Sequence, residues 1–325
     1  MSKFDISNRN LTTLIGIEFP SDIEILDCSN NQLATLAGCP LSVQELQCQN
    51  NLLTTLSGCP PNVQTLNCSY NQLTTLEGCP LSVQDLACYN NQLTTLQGCP
   101  SNVRALNCYD NQITTLQDCP PNVVCLHCSN NQITTLEGCP PNVEHLTCGH
   151  NQLTTLQSCP SNVETLRCAN NQLTSLEDCP PSVQELFCYN NQLTTLQGCP
   201  SNIKMLRCDD NQLTTLQGCP PNVAYLRCEN NQLTTLQGCP HNVEYLGCEN
   251  NPLDDEYQNK TVEEIHRINT RKAYRQGIFK LNSIIYPTRI QRWWIYHYYD
   301  KLNSDGLSLF CLRSIDASRR VGIIN

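Results

Sequence analysis

A period of 20 residues runs almost unbroken from Asp27 to Leu253 and constrains everything else about this chain. One unit carries Val63, Leu66, Cys68, Asn71, Leu73, Leu76, Cys79 and Pro80, and the next repeats those residue types from Val83 to Pro100. Asn recurs at every twentieth position from Asn31 to Asn251. Two Cys files run in step with it, Cys28 to Cys248 and Cys39 to Cys239, and only Cys125 and Cys311 stand outside them. So short a unit cannot bury its own apolar side chains. Neighbours stacked in parallel about 4.8 Å apart bury them as continuous columns. Leu66 and Cys68 flank Asn67, the alternation of a short strand with one buried face. Little length remains for a helix on the return path, and the Pro and Thr there favour extended or tight-turn backbone.

The pattern L-x-C-x-x-N-x-L-T-x-L-x-x-C-P-x-x-V resembles the leucine-rich repeat in its shortest form, known from bacterial type III effectors. Its Cys-rich N-Q-L-T-T-L version is similar to leucine-rich repeat proteins of giant amoeba viruses of the mimivirus type. The related FNIP repeat shares P-x-S-V-x-x-L, seen from Pro40 to Leu46, although F-N-I-P itself is missing. The resemblance implies a leucine-rich repeat solenoid: a curved horseshoe with parallel strands on the concave face, a mostly non-helical convex side and a small C-terminal helical cap. Three segments follow: an irregular N-terminal cap repeat (1–22), an array of about twelve 20-residue units (23–253) and a mostly helical cap or docking segment (254–325).

Constant columns read as structural. The Asn amide both donates and accepts, so it suits backbone groups left over where the chain turns inward. Gly38, Gly58 and their equivalents read as positive-φ turns, for which Asp118 and Asp178 are more tolerable substitutes than Ser158. Gln32, Gln72, Thr54, Thr55 and their equivalents are expected to form polar ladders on the outer turns. In the first unit Phe4, Ile6 and Leu11 fit the apolar columns, Arg9 replaces Asn, and two extra residues precede Pro20. The Cys files read first as reduced thiols packed as small apolar groups. Disulfides between stacked coils and structural zinc are the alternatives.

Variation concentrates in the strand positions expected to face outward: before the Leu, between Leu and Cys, and after the Cys. There Arg167, Phe187, Arg207 and Arg227 fall side by side, flanked by Tyr189, Met205, Tyr225 and Tyr245. Arg and aromatics anchor protein interfaces, so these eight are the candidate binding residues. The alternative is a solvated face with local pairing, such as Arg227 with Asp209 or Glu229. Cys125, His127 and His145 are the only metal-ligand candidates, with no carboxylate beside them, and the reading takes no metal and no cofactor.

Residues 1–253 carry 7 Lys/Arg against 21 Asp/Glu, whereas residues 254–325 carry 12 against 8. The net charge of −10 argues against a nucleic-acid partner. No apolar run is long enough to span a membrane. The start, MSKFDISNRN, has no apolar signal region, so an intracellular, cytoplasmic protein is expected, in host cytoplasm if viral, with a virion location still open. Thr261 and Glu264 form a capping-box pattern ahead of Ile265, Ile268 and Ile278. A second helix is expected over Arg289 to Tyr299, with Trp293 and Trp294 and a weak match to a calmodulin-binding IQ motif. The expected function is a non-catalytic scaffold binding a protein partner on the concave face. Two alternatives are a self-associating structural solenoid and, more remotely, a C-terminal ubiquitin ligase using Cys311. The ligase motif's Asp is replaced there by Arg313, and the segment is far too short for that domain.

Overall fold

The structure, a computed structural model, describes residues 2–283. Thirteen three-residue strands form one parallel sheet in chain order. They are β1 (Lys3–Asp5), β2 (Ile25–Asp27), β3 (Glu45–Gln47), β4 (Thr65–Asn67), β5 (Asp85–Ala87), β6 (Ala105–Asn107) and β7 (Cys125–His127). The sheet continues with β8 (His145–Thr147), β9 (Thr165–Arg167), β10 (Glu185–Phe187), β11 (Met205–Arg207), β12 (Tyr225–Arg227) and β13 (Tyr245–Gly247). Each strand pairs with the residue twenty further on, as Leu66 with Leu86. The first pair, Phe4 with Leu26, absorbs the two extra residues of the first unit. The middle Leu of β2 to β12 is buried, and with Val63, Cys68, Leu73 and Leu76 and their equivalents it builds the core. The first unit is thereby a rung of the sheet. Phe4 packs edge-on against Phe19 at 5.6 Å, and the Arg9 backbone N–H donates to Asn31 Oδ1 at 3.0 Å.

The Asn column holds neighbouring coils together. Asn151 Nδ2 donates to the carbonyls of Cys128, Cys148 and Gly149, while its Oδ1 accepts the Ile133 N–H at 3.0 Å. Those groups sit where the ladder has ended, so without the amide the Ile133 N–H would be orphaned in the core. One position before each Asn, the backbone is left-handed, φ 51° at Tyr70 and 52° at His150. Asn or Asp fills nearly all equivalents, the residues that adopt this conformation most readily.

The Gly column has positive φ, as expected. At Gly138 (φ +84°) an added Cβ would meet Gln117 Cα at 2.6 Å. Two expectations fail here. Ser158 keeps the left-handed conformation (φ 66°), whereas Asp118 and Asp178 are not left-handed, so losing Gly there changes the turn. The polar ladders also lie elsewhere. Thr75 Oγ1 accepts the Glu77 N–H of its own coil at 3.1 Å, and Thr55 does the same for Ser57. The side-chain ladder runs instead through the left-handed column, as in Asn50 to Asn30 at 2.7 Å and Asn130 to Asp110 at 2.6 Å.

All 24 described cysteines are free thiols. The inner file is sealed from water from Cys28 to Cys228, and Cys48 and Cys208 each donate Sγ–H to a carbonyl of the next coil at 3.3 Å. Burial pushes the Cys59 and Cys99 thiols up to about 12, and the inner file well above its ordinary value.

The described chain divides into two compact units, Met1–Val262 and a second beginning at Glu263. A helix, α1 (Val262–Ser283), starts directly after Thr261 with Glu263 and Glu264 in its first turn, where acidic side chains favour the helix dipole. No helix among the described residues is long and apolar enough to cross a membrane. The second helix expected over Arg289 to Tyr299, with Trp293 and Trp294, lies outside the described residues, as does Cys311.

Candidate binding face

The outward face is set by the strand period: the first and third residues of each strand point away from the core. The register therefore aligns Thr165, Glu185, Met205, Tyr225 and Tyr245 in one file and Arg167, Phe187, Arg207, Arg227 and Gly247 in the next. All eight expected binding residues come together across β9 to β13. Their guanidinium groups are already engaged. The Arg167 guanidinium lies over the Phe187 ring at 4.6 Å, and that of Arg207 over Tyr189 at 4.4 Å. Arg207 also pairs with Asp209 at 3.1 Å, and Arg227 with Glu229 at 2.8 Å. Tyr225 and Tyr245 stack at 4.5 Å with 8° between planes. The patch is a surface of fixed rings and engaged guanidinium groups, with Tyr245 (46% exposed) and Arg167 exposed.

The column after the Cys departs from expectation. Ser69, Asp209 and Glu229 are buried, with Asp209 only 4% exposed. The strand ends one residue before the Cys, and the left-handed turn lays this side chain back against the residue two before it. Ser69 Oγ donates to Asn67 Oδ1 at 2.6 Å in this way.

Of the metal candidates, Cys125 is exposed and in register with His145. His127 instead stacks on Tyr109 at 4.9 Å, and burial lowers its pKa. No group of three His, Cys, Asp or Glu able to hold a metal ion occurs among the described residues.

Two features escape a column-by-column reading. Tyr70, Tyr89, Tyr109 and His127 form a continuous aromatic stack, with Tyr89 on Tyr109 at 4.5 Å and Tyr70 edge-on to Tyr89 at 5.4 Å. Its members come from three different columns, so no single file reveals it. Beside it, a groove of about 420 Å³ opens across β4 to β8, with Gln47 of β3 also lining it, where Ala87 and Ala105 leave the face low. The only signal in the sequence is that pair of small residues in adjacent outward positions.

No family model matches the chain, and no curated protein does. Among solved structures it is similar to YopM from Yersinia enterocolitica WA-314, at 32% identity and TM-score 0.66 over 72% of this chain. The match covers 52% of that YopM, so this chain spans about half its length. It is also similar to YopM from Yersinia pestis, described as a leucine-rich effector protein, at 30% identity and TM-score 0.65. That match covers 77% of this chain and 72% of the other. The functional domain of InlJ from Listeria monocytogenes, described as including a cysteine ladder, shares the fold at 23% identity and TM-score 0.58, over 82% of this chain and 71% of its own.

Proposed function

The chain belongs to the leucine-rich repeat family, and we propose that it is a non-catalytic scaffold that binds a protein partner through the outward face of β9 to β13. One observation carries this reading. Residue types that hardly change from coil to coil line the core and turns, while the two changing strand columns stand on the sheet face, where Arg and aromatics gather on consecutive rungs. Rings and guanidinium groups fixed against each other lose little rotamer freedom on binding, which favours affinity. A partner presenting carboxylates would compete for Arg207 and Arg227, and one presenting apolar side chains would cover Phe187, Met205, Tyr225 and Tyr245. The proposal places the protein inside a host cell, acting on host proteins, as the resemblance to Cys-rich repeat proteins of amoeba viruses implies. Affinity capture with the wild type and with Arg207→Glu plus Phe187→Ala tests the site. Specific partners are expected to be lost with the double variant, and retention of every one of them sinks the proposal.

A further inference from the structure

The groove at the other end of the face has a chemistry of its own. Asp85 is in register with Ala105, and Ala87 with Asn107. These four outward positions make a rectangle about 4.8 Å by 7 Å, with Asp85 and Asn107 at opposite corners and a methyl group at each of the others. Asp85 is exposed and makes no ion pair with any described residue. On β2 to β8 the outward strand positions carry the carboxylates of Asp27, Glu45 and Asp85 and no Lys or Arg, Asp110 adds a carboxylate in the turn after β6, and the exposed Arg104, one residue before Ala105, lies outside these columns. The Asn107 amide adds a second demand. Where Ser follows two residues later, its hydroxyl satisfies the oxygen, as Ser69 does for Asn67 Oδ1 and Ser29 for Asp27 Oδ1. Asn107 is followed by Tyr109 instead, and its Oδ1 is covered with no donor. The Asp85 corner thus calls for a donor and the surrounding charge for a cation, and on binding the Asn107 amide would turn about χ2 to offer its oxygen to the ligand.

We propose that this groove binds an arginine-bearing extended segment of a protein partner, with one guanidinium seated over Ala87 and Ala105 between Asp85 and Asn107. The planar guanidinium offers five N–H donors in a fixed fork and is weakly hydrated, so it suits a shallow seat between two acceptors better than an ammonium does. The groove spans five strands, about 19 Å across, room for roughly six residues of extended chain. The protein already seats an arginine in a similar way, for Arg207 lies over Tyr189, which shares a column with Tyr89 and Tyr109. The site uses the same outward face as the proposed arginine patch but none of its residues.

The test uses the full chain and a labelled nonapeptide of alternating Gly and Arg, read by fluorescence anisotropy at low and physiological salt. A peptide with citrulline in place of each Arg serves as the neutral isostere. The Arg peptide is expected to bind and the citrulline peptide not to. Asp85→Asn and Ala105→Trp, each with an unchanged circular dichroism spectrum, should weaken binding about tenfold or more. Glu185→Gln and the Arg207→Glu plus Phe187→Ala variant should stay within about twofold, because they lie outside the seat. Equal binding of the citrulline peptide overturns the proposal, as does preference for a neutral oligosaccharide. So does a loss with Glu185→Gln as large as with Asp85→Asn, which would show only diffuse attraction. Loss of captured partners with the arginine-patch variant bears on the other site alone.

Discussion

Replacing Asn151 offers the most direct measure of what joins one coil to the next. The side chain makes four hydrogen bonds, but they are not equally replaceable. The Cys128 carbonyl is also held by Asn131, the Cys148 carbonyl by Asn171 and the Gly149 carbonyl by the Asn130 N–H. Only the Ile133 N–H has Asn151 as its single partner. In Asn151→Ala, that buried N–H is orphaned at a cost of about 2 kcal/mol, and three carbonyls drop from two bonds to one at roughly 0.5 kcal/mol each. The expected loss is about 3 to 4 kcal/mol. Asn151→Asp keeps the acceptor but turns an oxygen toward three carbonyl oxygens. A carboxylate there is disfavoured, so the folded-state pKa rises above the unfolded value of about 3.9. A raised carboxyl pKa means the variant keeps its stability below about pH 4 and loses it as pH climbs toward neutrality. Asn151→Asp should therefore be less stable than Asn151→Ala at pH 7 and should close the gap at pH 4. Urea unfolding followed by circular dichroism measures both, compared as midpoints because a long repeat array need not unfold in two states. A loss under about 0.5 kcal/mol for Asn151→Ala, or an Asp variant that matches wild type at pH 7, would refute this account of the column.

Other positions give sharp contrasts. Gly138→Ala places a Cβ 2.6 Å from Gln117 Cα at φ +84° and should lower stability by at least about 2 kcal/mol in the same assay. Ser158→Gly relieves a left-handed Ser (φ 66°) and should raise it by about 0.5 to 1 kcal/mol. In a Cys311→Ser background, an aromatic disulfide reagent at pH 8 should titrate Cys125 quickly, the partly exposed outer-file thiols such as Cys59 and Cys99 slowly because burial pushes them up to about 12, and the sealed thiols from Cys28 to Cys228 only after unfolding. Several fast thiols in the Cys125→Ala variant would contradict the sealed core.

The fold was legible because each rung repeats the same solution. Leu66, Cys68 and Asn71 could be placed from their spacing alone, and the Asn needed both donor and acceptor wherever it stood. The column after the Cys breaks the alternation because the strand ends one residue before the Cys. A left-handed residue at Tyr70 or His150 ends that alternation, and its mark in the sequence was a column dominated by Asn and Asp. The ladder expected of Gln and Thr failed because Thr75 is used within its own turn. The arginine patch assembled as the register required, and its pairing of Arg227 with Glu229 was visible two residues apart. The Tyr70 to His127 stack and the groove over Ala87 and Ala105 depend on how far side chains reach along the solenoid axis, which no column records.

The junction between any two coils is chemically nearly the same, with Leu on Leu, thiol on thiol and one amide clasping both. A gene encoding such a chain can gain or lose a whole unit by unequal recombination without needing a new junction. Inserting one between β8 and β9 would slide the guanidinium patch about 4.8 Å farther from the acidic groove and leave both intact. The distance between two recognition elements is thus adjustable in whole rungs, like the pitch of a ruler, and separately from what each element recognises.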